Sequence, residues 1–173
     1  MNYGEIKKYD IADGEGVRVS LFVSGCTHHC KGCFNAETWD FNFGKPFTEE
    51  TILELLEALK PDYITGLTLL GGEPFEPANQ RALLPFIKRY KEMFPQKTIW
   101  CYTGYTLESD LLSESRARCE CTDEMLSFID VLVDGEFVEE LKDIRLIFRG
   151  SSNQRVLRLR KTLEKGEPVW WEK

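Results

Sequence analysis

Four short apolar segments, each followed by a turn that contains glycine, constrain the fold of this chain more than any other feature. The segments are Val17–Val23, Ile64–Leu70, Thr98–Tyr102 and Ile129–Val133. Their length and their content of β-branched and aromatic residues predict strands, and stretches with helical periodicity lie between them. Strands that alternate with helices predict an α/β fold with a parallel sheet and right-handed crossovers.

Helix signals occupy the intervals between the predicted strands. Thr48 is a favourable N-cap ahead of an apolar stripe that ends before Pro61. Residues 77–94 predict a second helix, kinked at Pro85. Two shorter helices are predicted at residues 107–115 and 123–128.

A fifth strand is predicted at Leu146–Phe148, ending at Gly150. The chain has 173 residues, fewer than the ~250 of a complete eight-stranded α/β barrel. The expected architecture is therefore an open, partial (β/α) barrel with a mostly parallel sheet. Since the sequence contains no long linker and no repeat, we expect a single domain over residues 1–173.

Three of the six cysteines lie within eight residues, directly after the first predicted strand. Cys26, Cys30 and Cys33 have the spacing C-x3-C-x2-C, which indicates a metal site or a reactive thiol cluster. An electron-transfer [4Fe-4S] cluster usually takes four cysteine ligands. Three ligands would leave one iron open to a small molecule. A zinc site completed by His28 or His29 is the alternative.

Other unusual residues also follow predicted strands. The run Gly71-Gly72-Glu73-Pro74 follows the second strand, and Asp134-Gly135 follows the fourth. Ligand sites in parallel α/β folds lie at the carboxyl ends of the strands, and glycines let a ligand approach the backbone closely. The sequence therefore predicts one site that is shared by these turns and the cysteine loop.

Charge and hydropathy limit the classes of partner. The formal net charge of −7 does not favour nucleic acid, and the apolar runs are shorter than the roughly 18 residues of a membrane helix. The N-terminus has no apolar segment of the kind found in signal peptides. We therefore expect a cytoplasmic protein that binds neither nucleic acid nor membrane.

The charge is unevenly distributed along the chain. Residues 141–173 carry nine Lys or Arg against four Asp or Glu, and this basic stretch is either a solvated face or a docking surface.

The cysteine motif and the Gly-Gly-Glu-Pro turn, in this order after successive strands, resemble the radical S-adenosylmethionine (SAM) superfamily. Further runs narrow the resemblance to the activating proteins of anaerobic ribonucleoside-triphosphate reductases. These runs are Asp13–Arg18, Phe34–Trp39, Trp100–Tyr105, Val131–Gly135 and Phe148–Gln154. The resemblance implies a partial barrel of the radical SAM type, with a core at about residues 3–159 and a basic C-terminal tail at 160–173.

The resemblance also implies the chemistry. Cys26, Cys30 and Cys33 would be metal ligands and catalytic residues that hold a [4Fe-4S] cluster, and its open iron would chelate the amino and carboxylate groups of SAM. One electron would then cleave a carbon–sulfur bond and yield methionine and a 5′-deoxyadenosyl radical. The expected cofactor contacts are Gly32, Cys33, Phe34, Gly71, Gly72, Glu73 and Asp134. For Glu73, capping of a helix start is an equal alternative.

The implied activity is that of a radical SAM oxidoreductase whose substrate is another protein. The radical would remove a hydrogen atom from a glycine of the large subunit of the anaerobic ribonucleoside-triphosphate reductase, with reduced flavodoxin or ferredoxin as electron donor. Alternatives are an activase of another glycyl radical enzyme, of the pyruvate formate-lyase type, or a non-catalytic iron-sulfur or zinc module. Cys119 and Cys121 match no family motif and are either free loop thiols or a separate metal or redox pair.

Overall fold

The computed structural model describes residues 1–172 and contains one open sheet of seven strands. The strands are β1 (Asn2–Asp10), β2 (Val17–Val23), β3 (Lys45–Pro46), β4 (Ile64–Gly71), β5 (Thr98–Tyr102), β6 (Val131–Asp134) and β7 (Arg155–Arg158). The helices are α1 (Glu49–Ala58), α2 (Pro77–Met93), α3 (Thr122–Phe128) and α4 (Leu159–Lys165). None of the helices in residues 1–172 is long and apolar enough to cross a membrane.

The strand order is β3-β1-β2-β4-β5-β6-β7. The four strands β2, β4, β5 and β6 are parallel to one another, whereas β1, β3 and β7 join antiparallel toward the two edges. This arrangement confirms the predicted α/β class and the open sheet. The carboxyl ends of the four parallel strands lie side by side, as the pairing of Val23 with Gly71 shows.

The apolar core explains why the central strands read as continuous apolar runs. Leu21, Leu67, Leu69 and Ile99 are fully buried, because helices cover these strands. The predicted helix after Thr48 is confirmed as α1. Its Thr48 hydroxyl accepts from the Thr51 N–H at 3.4 Å, and the Thr51 hydroxyl accepts in return from the Thr48 N–H at 3.2 Å.

Helix α2 is also confirmed. It begins at Pro77, where the fixed φ of proline suits the first helical turn, and it continues through Pro85 to Met93. The helix predicted at 107–115 is shorter in the structure: Leu107–Leu111 forms one π-helical turn. The helix predicted at 123–128 is confirmed as α3.

Two strand predictions differ from the structure. Strand β1 was not predicted, because most of its side chains are exposed and polar and it therefore lacks an apolar run. The strand predicted at Leu146–Phe148 is wrong, since Phe148 has a left-handed φ of 59° that cannot continue a strand. Its ring packs against Trp100 instead, and the last strand is β7.

The predicted basic tail folds back onto the sheet. Helix α4 ends at Gly166, which has a left-handed φ of 71°, and the following residues return along β7. The Arg158 N–H donates to the Val169 carbonyl at 2.8 Å, and the Trp171 N–H donates to the Val156 carbonyl at 2.9 Å. Lys173, the last residue of the predicted tail, lies outside the described residues.

Candidate functional site

A cavity of about 450 Å³ opens at the carboxyl ends of the four parallel strands, where the strand order predicts a site. It collects residues that are far apart in the sequence. The predicted site residues that line it are Cys26, Cys30, Cys33, Phe34, Gly71, Gly72 and Glu73. Gly32 and Asp134 are not among the lining residues.

Backbone hydrogen bonds hold the cysteine loop against the segment that follows it. The Gly25 N–H donates to the Thr38 carbonyl at 2.7 Å, and the Cys26 N–H donates to the Trp39 carbonyl at 3.2 Å. A turn brings the last two cysteines together, with the Cys33 N–H donating to the Cys30 carbonyl at 3.1 Å. Of the three, Cys26 is buried and the other two are half-buried.

Burial favours the protonated form of two of these thiols. It raises the pKa of Cys26 to about 12, although hydrogen bonds from the backbone at His28 and His29 act in the opposite direction. Burial also raises the pKa of Cys30. A metal that binds here must therefore displace thiol protons.

The spacing of the sulfur atoms bears on the kind of metal. Within residues 1–172, the donor group whose atoms all lie within 4.8 Å of one another is formed by Cys119, Glu120 and Cys121. The sulfurs of Cys26, Cys30 and Cys33 are not gathered so closely. A tetrahedral zinc with ~2.3 Å zinc–sulfur bonds needs ligands roughly 3.8 Å apart, whereas cluster cysteines bond different irons and stand further apart.

His28 holds the loop in place instead of facing a metal. Its Nε2 lies 2.8 Å from Glu73 Oε1, and its Nδ1 lies 3.2 Å from Glu136 Oε1. Burial disfavours the imidazolium, but these two carboxylates outweigh it and raise the pKa of His28. Because both ring nitrogens are occupied, His28 does not complete a zinc site. His29 stacks on Trp39, with ring centroids 4.5 Å apart.

The Gly71-Gly72 turn needs glycine for two different reasons. Gly71 has a left-handed φ of 106°, which favours glycine. Gly72 lies between backbones: a Cβ there would stand 2.7 Å from the Gly25 carbonyl oxygen and 2.9 Å from that of Thr38. The turn therefore packs directly on the cysteine loop and leaves its other side to the cavity.

Glu73 is fully buried, and the protein satisfies both of its oxygens. Oε1 accepts from the Gly104 N–H at 2.8 Å and faces His28. Oε2 accepts from the Phe75 N–H and the Thr103 hydroxyl, each at 2.8 Å. Glu73 thus ties the end of β4 to the end of β5 and to the cysteine loop.

Phe34 stands at the cavity rim and is 61% exposed. Its ring lies 5.0 Å from that of Phe137, and the Lys142 ammonium lies 5.1 Å from the ring centroid. An exposed ring beside the last cysteine leaves a face free to pack on a planar ligand.

The two remaining predicted contacts lie outside the cavity lining. Gly32 has a left-handed φ of 75°, and a Cβ there would meet the Glu139 side chain at 2.9 Å. Asp134 is buried and paired: Arg155 Nε donates to its Oδ1 at 2.9 Å, and the Leu107 N–H donates to its Oδ2 at 2.9 Å. The structure thus uses Asp134 to fix the end of β6.

Three further residues of the cavity wall, Asp13, Trp39 and Tyr102, were not among the expected cofactor contacts, although each lies in a run that carries the family resemblance. Tyr102 Oη and Trp39 Nε1 are buried without a hydrogen-bond partner in residues 1–172, and buried polar atoms are normally paired. Burial and a hydrogen bond to Asp10 raise the pKa of Asp13 to about 7. Unpaired polar atoms on the wall fit a cavity that takes a polar ligand. That these two atoms lack a partner depends on packing, which the sequence does not show.

Cys119 and Cys121 lie away from the cavity, beside α2. The Cys119 thiol approaches Gln80 Oε1 at 3.4 Å, and Glu120 accepts from Arg81 Nε at 2.8 Å. All six cysteines are free.

Comparison with known proteins gives a consistent result. A family model described as a 4Fe-4S single cluster domain matches residues 12–157, a stretch that includes the three cavity cysteines. This match supports an iron-sulfur cluster.

Three proteins that are similar over most of this chain share one name. The anaerobic ribonucleoside-triphosphate reductase-activating protein of Pasteurella multocida (strain Pm70) is 46% identical over 160 residues, covering 91% of this chain and 98% of its own length. The proteins of the same name from Escherichia coli (strain K12) and from Enterobacteria phage T4 are 43% and 42% identical. These two matches cover 92% and 90% of this chain, and 100% and 93% of the relatives.

Proposed function

The chain belongs to the family of anaerobic ribonucleoside-triphosphate reductase-activating proteins, and we propose that it is a radical SAM enzyme that generates a glycyl radical on such a reductase. The family match supports an activating enzyme with a four-iron cluster. One observation carries the finer proposal: three thiols and a glycine turn from successive parallel strands line a single cavity. In that arrangement a cluster held by the thiols and a second ligand held by the glycine turn would lie next to each other.

The ligand set of the cluster is proposed to be Cys26, Cys30 and Cys33. The fit rests on the donor chemistry, because soft thiolates suit an iron-sulfur cluster, and on the match of the surrounding residues to a 4Fe-4S domain. Both ring nitrogens of His28 are held by carboxylates, and His29 stacks on Trp39, which does not favour either histidine as a fourth ligand. When bound and reduced, a cluster with one open iron would supply the electron that cleaves SAM.

The SAM site is proposed to lie between the cysteine loop and the Gly71-Gly72 turn. The glycines leave backbone N–H and C=O groups accessible to the methionine end, and the exposed ring of Phe34 is placed to pack on the adenine. Tyr102 Oη and Trp39 Nε1 offer unused hydrogen bonds on the same wall. The unpaired donors and the accessible glycine backbone therefore both suit a ligand with the polar groups of SAM.

Glu73 and Asp134 are proposed to act mainly by positioning. The Glu73 carboxylate is hydrogen-bonded to His28 of the cysteine loop and to Thr103 after β5. These bonds fix the two sides of the cavity relative to each other. Asp134, bound by Arg155, does the same for β6. Gly32 allows the tight turn between the last two cysteine ligands.

The proposed substrate is a glycine-bearing segment of the reductase large subunit, which would enter through the open side of a partial barrel. We propose a cytoplasmic location, since free cysteines are typical of a reducing compartment, and reduced flavodoxin or ferredoxin as the electron donor.

The test is to mix the anaerobically iron-loaded, reduced protein and SAM with an anaerobic ribonucleotide reductase and record the electron paramagnetic resonance spectrum. We expect a glycyl radical signal with the reductase and none with a pyruvate formate-lyase offered under the same conditions. A signal with the lyase alone would assign the chain to the other class of activase. No signal with either, while the cluster is intact, would overturn the proposal.

A further inference from the structure

A second pocket, of about 360 Å³, lies at the opposite end of the parallel strands from the cysteines. Arg18, Thr65, Thr98 and Val131 line it, and each stands at or beside the start of a parallel strand. The length of the strands separates this pocket from the cysteine cavity. A ligand in one would not touch the other.

The walls of the second pocket carry an excess of positive charge. The cationic side chains are Arg18, Arg158, Arg160 and Lys161, against the two carboxylates of Glu15 and Asp130. Asp130 is already engaged, because its Oδ2 accepts from Lys91 Nζ at 3.3 Å and from the Ile99 N–H at 2.8 Å. The positive excess is therefore local, although the whole chain is acidic.

Arg18 is the most unusual of these residues. Its side chain is fully buried, yet its hydrogen bonds go to Thr68 Oγ1, Thr98 Oγ1 and three backbone carbonyls, none of which carries a charge. Burial lowers the pKa of Arg18 to about 10, so it stays charged at neutral pH. Buried charges are normally paired with an opposite charge. All five N–H donors of Arg18 are engaged by neutral groups of the protein, so Arg18 contributes uncompensated positive charge to the pocket wall, and the hydrogen bonds to a ligand must come from the other cations.

The folded-back tail completes the pocket. Arg158, Arg160, Lys161 and Trp171 come after residue 157, where the match to the family model ends. The Trp171 ring packs edge-on against Trp100, with centroids 5.2 Å apart, and both rings line the pocket. Arg160 and Lys161 are exposed, so their charged groups are free to move onto a ligand.

We propose that this pocket binds a phosphate-bearing anion, at a site separate from the cysteine cavity. Guanidinium groups match phosphate oxygens geometrically and form charge-assisted hydrogen bonds with them, and a lysine adds a mobile point charge. The phosphate has two possible sources, a free polyphosphate or the phosphate chain of a nucleotide. Trp171 distinguishes them, because its half-buried ring offers a surface to a base, whereas Trp100 is buried.

The test is calorimetric titration of the iron-loaded protein, under anaerobic conditions and at constant ionic strength, with inorganic phosphate, tripolyphosphate and ATP. Cluster absorbance is followed in parallel. We expect saturable binding that weakens by about tenfold in Arg160→Ala and in Lys161→Ala, and further in the double variant. Lys165→Ala, on the same helix but outside the pocket, is the matched control and should bind like the unaltered protein.

The comparison of ligands assigns the source. Equal binding of tripolyphosphate and ATP supports the site and identifies the phosphate chain as sufficient, whereas tighter binding of ATP supports it and adds a contribution from the base. The absence of saturable binding to any of the three would overturn the proposal. Equal loss in Lys165→Ala and Lys161→Ala would overturn it as well, because binding would then follow net charge. All these readouts are independent of SAM cleavage.

Discussion

The same four parallel strands end in two very different surfaces. At their carboxyl ends, the loops contain glycines with left-handed φ, free thiols and acidic side chains that lie around an open cavity. At their amino ends, Arg18 donates to hydroxyl and carbonyl groups of β4 and β5. Within residues 1–172, the first surface leaves its thiols free of disulfides and two buried polar atoms without hydrogen-bond partners, whereas the second uses the buried guanidinium of Arg18 to hold the strands together.

This contrast explains two of the motifs on which the family resemblance rests. Gly14 and Gly16 in the run Asp13–Arg18 both have left-handed φ, and a Cβ at Gly14 would meet the Arg18 side chain at 2.8 Å. That motif therefore shapes the amino end around a buried arginine. The Gly71-Gly72 turn shapes the carboxyl end around a cavity.

The largest expected effect of a substitution at the carboxyl end is loss of the cluster. Cys30→Ala should abolish iron binding, because the remaining thiols cannot hold the cluster, and iron and sulfide analysis after reconstitution measures it. The matched control is Cys119→Ala, which lies outside the cavity and should keep its iron. Loss of iron in the control would show that the ligand set is wrong.

At the amino end, the largest expected effect is on stability. Arg18→Met should lower the free energy of unfolding by roughly 3 kcal/mol, because buried carbonyls of Leu67 and Thr98 lose their donors. Chemical denaturation measures it, with Arg160→Ala, an exposed arginine of the same pocket, expected within about 0.5 kcal/mol of the unaltered protein. Equal stability of the two variants would contradict the structural role of Arg18.

A smaller effect tests the packing of the glycine turn. Gly72→Ala should cost about 1–3 kcal/mol of unfolding free energy, because its Cβ would press on the Gly25 and Thr38 carbonyls, and it should also reduce iron loading. Gly166 also has a left-handed φ, but a Cβ there would have no atom within 4 Å. Gly166→Ala should therefore cost only about 1 kcal/mol of unfolding free energy and leave iron loading unchanged. The reverse order of the two costs would exclude this account of the turn.

A separate effect concerns pH. Burial and Asp10 raise the pKa of Asp13 from 3.8 to about 7, so its contribution to stability is full below about pH 4 and is lost as pH rises through 7. Asp13→Asn should therefore gain stability relative to the unaltered protein between pH 4 and pH 7, with no further gain above. Thermal unfolding across this range measures it.

The unaltered protein and Asp13→Asn are compared at the same pH values. A difference in stability between them that stays constant from pH 4 to pH 7 would mean that Asp13 is not the residue that holds the proton.

Much of the carboxyl end could be predicted from the sequence, because its signals are local. The C-x3-C-x2-C spacing and the strand ending at Gly71 are contiguous runs, and the structure brings them to one cavity. The paired state of Glu73 and Asp134 could not be predicted, since their partners, Thr103 and Arg155 among them, depend on how the strands are ordered.

The amino end was harder to predict for the same physical reason. Arg18 is a charged residue in an apolar run, and nothing in that run shows that its guanidinium would find Thr68 and Thr98. The return of the tail to β7 depends on the packing of Trp171 against Trp100, a contact between distant residues. Strand β1 lacked the apolar signal that made the central strands visible.

Reductive cleavage of SAM in the cavity at the carboxyl end is the proposed step on which the function of the protein depends. Its most direct test is the amount of 5′-deoxyadenosine that the reconstituted, reduced protein forms from SAM under anaerobic conditions. We predict formation by the unaltered protein and by Cys119→Ala, and none by Cys30→Ala. No 5′-deoxyadenosine from an unaltered protein that demonstrably holds its cluster would contradict the account.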